Sequence, residues 1–206
     1  MEKTRRKERE FNIRRAAILF EAEKVFSARG YHNVTVAEIA AASGFSTGAL
    51  YQFFIGKEQL YTTMISEKLT MMYESIKYEV KSARDLKGKL IALIGAQLQF
   101  VEANADFCRI FLRGENELSA QSMNSMRQQM INDYFKHLSF IENILKAGIR
   151  DGALRNLPTH DIAAALSYLI RAAAIDWMLV PSKDSLVSKK ELILDIFLNG
   201  VEKHDE

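Results

Sequence analysis

The stretch from Thr35 to Leu60, TVAEIAAASGFSTGALYQFFIGKEQL, leaves few folds open to this chain. Its apolar residues recur at helical spacing on both sides of Gly44, which predicts two short helices joined by a tight turn. Thr35 can cap the first helix, since Glu38 three residues later completes a capping box. Gly44 can end that helix, because glycine adopts a left-handed backbone without steric cost. Two short helices with small side chains, joined by a glycine turn, are the pattern of a helix-turn-helix.

Small polar residues open the second predicted helix. Its N-terminus can therefore approach a surface closely and offer hydroxyl and backbone N–H groups to anions. This layout suits a helix inserted end-first into the major groove of DNA, although a helical hairpin packed into a core is the alternative. Gln52 is the main candidate for base reading, because its amide can bond adenine through two hydrogen bonds. We predict DNA contacts from Thr35, Ser46, Thr47, Gly48, Tyr51, Gln52 and Lys57.

The same stretch resembles the DNA-binding signature of the TetR family, and more narrowly its AcrR-like ligand-responsive repressors. The resemblance rests on the turn glycine, the pair Leu50–Tyr51, Phe54, and the pair Lys57–Glu58 that opens the next helix. It covers the N-terminal third strongly, and beyond about residue 80 it is one of length and helical layout. The family often has a histidine before the final phenylalanine. Phe53 occupies that position here, and we include it among the predicted DNA-binding residues.

The scarcity of helix-breaking residues predicts an all-α fold. Only two prolines and ten glycines occur in 206 residues, which favours long helices over a β fold rich in turns. We predict about nine helices, arranged as an N-terminal three-helix helix-turn-helix domain and a larger helical domain for ligand binding and dimerisation. The predicted boundaries are 1–56 for the DNA-binding domain, with a basic arm over 1–8, and 57–206 for the second domain.

The basic arm precedes a first helix that is predicted from about Glu8 to Arg29. The formal net charge of the chain is only +2, so any basicity that matters for binding must be local. The arm could lie along a phosphate backbone or enter the minor groove, and the alternative is a disordered tail that only adds solubility. Its basic residues are Lys3, Arg5, Arg6, Lys7 and Arg9, followed by Arg14 and Arg15.

Lys57 is predicted to begin a helix of about six turns that reaches Val80, well beyond the helix-turn-helix. Such a helix could transmit a tilt from a sensor to the DNA-binding end. A lysine at the start of a helix opposes the macrodipole, so a phosphate partner explains Lys57 better than helix stability does. Further helices are predicted over about 90–101, 106–112, 126–152, 159–180 and 189–201, with polar loops over 115–125 and 181–188 and a capping box formed by Ser188 and Glu191.

The helices after Lys57 could surround a space for a small, largely apolar ligand, aromatic or acyl in character. Methionines are frequent there, and the flexible thioether suits a pocket that changes shape. Plain core packing is the alternative, and for any single methionine it is the more common outcome. Polar side chains on otherwise apolar faces could orient the ligand. The predicted ligand-binding residues are Met64, Met71, Gln97, Arg109, Met130, Tyr134 and His137.

The segment from Ile162 to Val180 is apolar on almost all sides. Such a helix is either fully buried or covered by a second subunit, and its place near the C-terminus favours the second. Its alanines permit close approach of another helix, and tryptophan is a typical interface anchor. The TetR resemblance implies the same arrangement, a four-helix bundle shared by two subunits. The predicted interface residues are Leu166, Ala173, Trp177, Ile196 and Phe197.

The sequence offers no pattern of an enzyme. Its four histidines are scattered without metal-ligand spacing, and no glycine-rich phosphate loop follows a strand. Cys108 has no base beside it in sequence, and a single cysteine fits a soluble protein of the reducing cytoplasm. We therefore predict no catalytic residue, metal or cofactor.

The sequence favours a homodimeric transcriptional repressor that a small apolar effector releases from an inverted-repeat operator on double-stranded DNA. One alternative is a constitutive DNA-binding protein that is regulated by a protein partner and has no ligand pocket. A helical enzyme that retains a relic DNA-binding head is the other.

Overall fold

The computed structural model describes residues 2–113, 120–180 and 184–201, and across them the only regular secondary structure is helical. The all-α prediction is therefore confirmed, with nine α-helices in the described residues. Their bounds are α1 Glu2–Arg29, α2 Val36–Ala42, α3 Thr47–Leu50, α4 Lys57–Ser82, α5 Leu86–Ala103, α6 Ala105–Arg113, α7 Ala120–Arg150, α8 Thr159–Leu179 and α9 Lys190–Val201, with a 3₁₀ helix over Leu186–Lys189.

The chain forms two compact units, the first from the described residues of Met1–Leu69 and Asp106–Arg127 and the second from those of Thr70–Ala105 and Gln128–Glu206. In the first unit, α1 buries one side chain per turn against α2, α3 and the start of α4. Apolar burial at this spacing is what holds a short helical bundle together. The buried side chains include Ile18, Ala22, Phe26, Ile39, Leu50, Phe54, Leu60 and Tyr61.

Helix α1 begins at Glu2, earlier than the start predicted near Glu8, so the predicted arm is a continuation of the helix. Its first residues, EKTRRKERE, are mostly good helix formers, and Arg6 Nε pairs with Glu10 Oε1 one turn later at 2.8 Å. The sequence-based start was wrong because it relied on apolar periodicity, which is missing from this polar segment.

In the second unit, α5 lies at the centre of a core to which α7, α8 and α9 each contribute buried leucines and isoleucines. Gly148 of α7 allows a close approach, since a Cβ there would lie 2.6 Å from Leu86 Cδ2. Gly152, with φ +76°, follows the end of α7, close to the predicted end. The central buried residues are Leu90, Leu93, Ile94, Leu98, Leu138, Ile141, Leu145, Leu166 and Phe197.

Two local predictions in this half of the chain were wrong. Helix α7 begins at Ala120, inside the loop predicted over 115–125, while residues 115–119 of that loop lie outside the described residues. The capping box predicted for Ser188 and Glu191 is not formed in the described structure, because Ser188 already lies within a helical turn, where its Oγ donates to the carbonyl of Ser185 at 2.6 Å. A 3₁₀ helix occupies this position instead and leads directly into α9.

Side chains distant in sequence fix the beginning and the end of α9. Glu102 Oε2 of α5 accepts hydrogen bonds from Ser185 Oγ at 2.9 Å and from the backbone N–H of Val187 at 3.1 Å. Arg155 Nη1 donates to the carbonyl of Gly200 at 2.9 Å, and so satisfies one of the unpaired carbonyls at the helix C-terminus.

Helix α8 is long and apolar enough, by length and composition alone, to cross a membrane, a test that core helices of soluble proteins also pass. One face of it packs into the core through Ile162, Leu166 and Ile170. Only 28% of its most apolar window is buried within the protein, so much of its apolar surface is uncovered.

Candidate nucleic-acid interface and effector region

The turn between α2 and α3 forms as the sequence predicts. The Thr35 hydroxyl accepts from the backbone N–H of Glu38 at 3.2 Å, and Glu38 Oε2 accepts from the backbone N–H of Thr35 at 2.7 Å, which completes the capping box. Gly44 has φ +74°, a conformation that other residues adopt only with strain. Ser46 Oγ accepts from the N–H of Ala49 at 3.2 Å and caps α3. The angle between the two helices is thus set by local hydrogen bonds.

An arginine connects the capping box to α1. Arg29 donates from Nη1 to Glu38 Oε1 and from Nη2 to the carbonyl of Asn33, both at 2.6 Å. The hydrogen bond from Arg29, followed by those from Thr35, lowers the pKa of Glu38 to about 2. The carboxylate therefore stays charged at any physiological pH and ties the end of α1 to the beginning of α2.

The tip of α3 is open on one side and anchored on the other. Leu50 and Phe54 are buried in the core of the first unit, whereas Tyr51 is 52% exposed and Gln52 is also exposed. Among the described residues, the side chains of Tyr51 and Gln52 have no hydrogen-bond partner. The predicted reading residues Ser46, Thr47, Gly48, Tyr51 and Gln52 are thus brought to one surface, all exposed except Thr47, which is partly exposed.

Gly48 lies at this tip without any packing reason to be glycine. A Cβ at this position would meet no atom within 4 Å, and the backbone φ is not in the left-handed region. The fold therefore tolerates a side chain here. The lack of one leaves the backbone of α3 free to approach another molecule closely.

Phe53 belongs to an aromatic cluster that the sequence reasoning did not anticipate. Its ring stacks on Phe11 of α1 with centroids 4.6 Å apart, and the ring of Phe45 lies 6.2 Å away edge-on. Phe53 is partly buried and Phe11 is 44% exposed, so the stack lies at the surface beside the tip of α3. Its predicted DNA contact stays a prediction. Only the spacing of Phe11 from the core positions of α1 could have suggested the pair.

The ammonium group of Lys57 is held inside the first unit. Lys57 Nζ donates to the carbonyls of Tyr31 and Val34, each at 2.9 Å, and lies 4.3 Å from the centroid of the Tyr31 ring. These contacts explain a lysine at the start of α4 without a phosphate partner. They use two of its three N–H donors, and the phosphate contact of Lys57 stays a prediction, as does that of Thr35.

Two of the predicted effector residues belong to the first unit. Met64 is 3% exposed and packs as a core residue, while Arg109 pairs with Asp106 at 2.6 Å on the surface of α6. Cys108 is the residue before Arg109, and burial raises the pKa of its thiol to about 11. The Cys108 thiol is therefore neutral and poorly nucleophilic at neutral pH.

His137 is a buried polar residue of the second unit. Its imidazole is 9% exposed and stacks on the Tyr73 ring at 4.9 Å, and Nε2 has no hydrogen-bond partner among the described residues. Burial, with a smaller contribution from the charge of Lys77, lowers the pKa of His137 to about 4. Burial also raises the pKa of Tyr73 to about 12. A neutral buried imidazole and a neutral, partly buried phenol therefore lie side by side against a largely apolar core.

The other predicted effector residues of the second unit differ in burial. Gln97 is partly buried and donates to the carbonyl of Leu93 at 3.4 Å, Met130 is partly exposed, and Met71 is 62% exposed. Tyr134 lies one turn before His137; burial, followed by a hydrogen bond with Tyr168, raises its pKa. A common ligand pocket for these residues stays a prediction.

A cavity of about 890 Å³ opens in the second unit, between the start of α5, the C-terminal end of α7, and α9. Its floor is apolar, formed by residues such as Leu86 and Leu194, and its rim carries both signs of charge, as in Lys87 and Asp195. None of the predicted effector residues is among the described residues that line it.

The predicted interface residues of α8 and α9 fall into two groups. Leu166 and Phe197 are 0% and 4% exposed and belong to the core of the protomer, whereas Ile196 is 50% exposed. Trp177 and Ala173 are intermediate, and Trp177 Nε1 donates to the carbonyl of Asp184 at 3.0 Å. Sequence reasoning missed the most exposed apolar side chains of these helices, Tyr168, Leu179 and Leu192.

The part of the chain that the structure describes holds no group of three or more His, Cys, Asp or Glu side chains suited to a metal ion. The exposed N-terminal end of α3, anchored by buried side chains, has the geometry by which a helix-turn-helix reaches the major groove of DNA.

Comparisons with known proteins agree with this geometry. Residues 18–64 match the family of bacterial regulatory proteins described as the tetR family, and residues 65–200 match the C-terminal region of YsiA-like protein. The fatty acid metabolism regulator protein of Bacillus subtilis (strain 168) is 23% identical over 186 residues, which cover 89% of this chain and 93% of the relative. The HTH-type transcriptional repressor KstR2 of Rhodococcus jostii (strain RHA1) is 26% identical over 190 residues, 91% of each chain.

Among solved structures, FadR from Bacillus subtilis in complex with stearoyl-CoA has the same fold, with a TM-score of 0.76 at 22% identity over 90% of this chain and 98% of that one.

The fold and the open helix tip, together with these matches, define a DNA-binding transcriptional regulator. The chain belongs to the tetR family of bacterial regulatory proteins, and the two family matches together span most of its length. Like its named relatives, it is a transcriptional regulator and not an enzyme.

Proposed function

We propose that the protein is a homodimeric repressor that leaves an inverted-repeat operator when it binds a fatty-acyl thioester. The observation that carries the proposal is the open tip of α3, where Gly48, Tyr51 and Gln52 are exposed above the buried side chains of Leu50 and Phe54. Thr47, Gly48 and Gln52 would read base edges, and Thr35, Thr47, Tyr51 and Lys57 would hold phosphates.

The uncovered apolar surface of α8 and α9 supports the pairing of two chains. Leu192 and Ile196 lie one turn apart on α9 and are 58% and 50% exposed, and Tyr168 and Leu179 of α8 are 57% and 76% exposed. Exposed apolar surface of this kind marks an interaction site, and a two-fold axis would cover it with the same surface of a second copy. The two DNA-binding domains would then contact half-sites about one helical turn apart or somewhat more.

The pair of buried His137 and partly buried Tyr73 in the second unit supports an effector whose apolar part carries a carbonyl group. A buried nitrogen without a partner, such as His137 Nε2, costs about 1–3 kcal/mol, and a ligand carbonyl would remove this cost. The relative that regulates fatty acid metabolism, and the relative crystallised with stearoyl-CoA, favour an acyl thioester as that ligand. The acyl chain would occupy the apolar interior.

Helix α4 is the proposed link between effector and DNA. It runs without interruption from Lys57 to Ser82 and carries Tyr73, the ring on which His137 stacks. An effector that displaces Tyr73 would shift α4 and move the reading heads out of register. The proposal keeps the division between a DNA-binding part over 1–56 and an effector and dimerisation part over 57–206, in a cytoplasmic protein.

The test begins with selection of bound duplexes from random DNA by the purified protein. The selected duplex, fluorescently labelled, is then titrated with octanoyl-, palmitoyl- and stearoyl-CoA, with coenzyme A as the control, and release is followed by anisotropy. We expect release by at least one thioester and none by coenzyme A. In His137→Phe, DNA affinity should be unchanged, while the thioester concentration for half-release should rise about tenfold, the scale of one lost hydrogen bond.

A protein that binds the selected duplex but is released by no thioester would contradict the effector proposal. That result would favour the alternative, a DNA-binding protein regulated by a protein partner. A selected site without two-fold symmetry, or a protein that stays monomeric at micromolar concentration, would contradict the proposed dimer.

A further inference from the structure

We propose that Lys7 and Arg14, on one side of Phe11 in α1, form a phosphate-binding ridge. The stack of Phe11 on Phe53 holds this ridge beside the DNA-reading tip of α3. This inference rests on DNA binding by the helix-turn-helix and assigns a further contact surface for the same partner. A free basic arm would bind DNA with all of its charges, whereas a fixed helix presents only one side.

The stack shows which side of α1 contacts the residues that follow α3. Phe11 of α1 and Phe53, the residue after Gln52, have ring centroids 4.6 Å apart at an interplanar angle of 28°. Because Phe11 is still 44% exposed, the contact lies at the surface and not in the core. The face of α1 that carries Phe11 therefore borders the same surface as Tyr51 and Gln52.

Helical geometry sorts the basic residues of α1 by face. At about 100° per residue, Lys7 and Arg14 lie about 40–60° to one side of Phe11, at positions i−4 and i+3. Arg5 and Arg9 lie about 120–160° away, on the far side of the helix. The charges are thus divided between a face beside the reading tip and a face turned away from it.

Lys7 and Arg14 are available for an external partner. Both are exposed, and the described structure contains no ion pair for either. On the other flank of Phe11, Arg15 is already paired with Glu67 and lies over the Phe54 ring at 5.5 Å. Among the described basic residues that flank Phe11, those available to a partner therefore lie on one side of the stack.

DNA phosphate is the occupant that this charge arrangement fits. The duplex already approaches the adjacent tip of α3, its backbone presents a regular row of negative charges, and a contact there would release condensed counterions. Lys7 and Arg14 are separated by seven residues, about 10 Å along α1, which is a length that spans more than one phosphate of a strand.

The experiment compares two double variants of equal charge. Lys7→Gln with Arg14→Gln removes the ridge, and Arg5→Gln with Arg9→Gln removes two charges from the opposite face. Affinity for the selected duplex is measured at several salt concentrations. The slope of log K against log salt should fall by about 1.8 per bound protomer for the first variant and remain near the wild-type value for the second.

A third variant tests the anchor without any change of charge. Phe11→Ala keeps every basic residue but removes the stack on Phe53, and its slope should fall in the same direction by a smaller amount. Helix content measured by circular dichroism, and the melting temperature, establish that all three variants are folded.

The outcomes separate the ridge from the DNA-reading role. Equal slope losses in the two double variants would show a diffuse basic arm and overturn the fixed ridge, and unchanged slopes in both would show that α1 contacts solvent only. An unchanged slope in Phe11→Ala would overturn the role of the stack. If the wild-type protein bound no duplex at all, DNA reading itself would fail, a result distinct from all of these.

Discussion

Gly48 is the residue whose effects on folding and on DNA binding should differ most clearly. No atom lies within 4 Å of the position its Cβ would take, so Gly48→Ala should leave stability unchanged or raise it by up to about 1 kcal/mol, since alanine favours a helix. The added methyl group would hold the backbone of α3 away from the bases. We expect DNA binding to weaken by about 1–3 kcal/mol, the scale of one base contact.

Urea unfolding and fluorescence anisotropy measure the two effects of Gly48→Ala. Gly95→Ala is the matched control, because this glycine lies within α5 and its Cβ would make an ordinary contact, 3.7 Å from Lys190 Cδ. The control should leave DNA binding unchanged. Wild-type DNA affinity in Gly48→Ala would show that the tip does not approach the duplex closely.

Lys57 should combine a structural role with a DNA-binding one. In Lys57→Met the carbonyls of Tyr31 and Val34 lose their donor, and stability should fall by about 1.5–3 kcal/mol, the scale of a hydrogen bond to a charged group. The remaining N–H donor is available to a phosphate, so the salt slope of DNA binding should also fall by about 0.9. Unchanged stability would contradict the first role, and an unchanged slope the second.

At the scale of elements, the helix-turn-helix was predictable and its surroundings were less so. The capping box of Thr35 and the turn at Gly44 depend on residues within a few positions of one another, so the sequence determines them locally. The partners of Lys57 lie more than twenty residues away, and no local rule indicates them. Helix α1 extends to Glu2 through the helical propensity of charged residues, which leaves no apolar pattern to detect.

The exposed face of α8 and α9 was predictable only in part. A helix that is apolar on nearly all sides gives no indication of which side faces the core, because every face satisfies the same pattern. Leu166 was therefore assigned to a subunit interface, as were Ile196 and Phe197 of the final helix that was expected to complete the bundle, although Leu166 and Phe197 are buried within the protomer. Only the packing against α5 distinguishes them.

Helix α9 should govern the assembly of two subunits. Ile196→Glu places a charge on a side chain that is 50% exposed in the protomer and that the proposed pairing would bury. We expect the variant to remain folded but to sediment as a monomer, and to bind a two-half-site duplex far more weakly. Lys189→Glu is the control, since Lys189 is polar and pairs with Asp176 within the protomer. A dimeric Ile196→Glu variant would place the interface elsewhere.

At the scale of the whole molecule, the buried His137 should make folding sensitive to mild acid. Its pKa is about 4 in the folded protein and 6.5 when unfolded, so between these values the unfolded chain binds a proton that the folded chain does not. Stability is therefore complete above about pH 6.5 and falls by about 3 kcal/mol as the pH drops to about 4.

Urea unfolding at several pH values between 7 and 4 measures this loss, since these are roughly the limits of the window. His137→Phe should flatten the dependence, and the exposed His32→Gln should not. Glu38, with its pKa lowered to about 2, acts in a separate window, because its contribution is present above about pH 4.5 and is lost only as the pH falls towards 2. A wild-type pH dependence in His137→Phe would assign the acid sensitivity to other groups.

The different roles of neighbouring side chains in α3 and the turn that follows it also bear on how new operators could be acquired. Leu50 and Phe54 carry the attachment of this helix to the protein, while Tyr51 and Gln52 take no part in it. Substitutions at the two outward positions can therefore accumulate with little penalty to the fold. Under the proposed reading of DNA by this surface, a lineage or a designer would redirect the protein to a different promoter by changing one exposed side chain at a time.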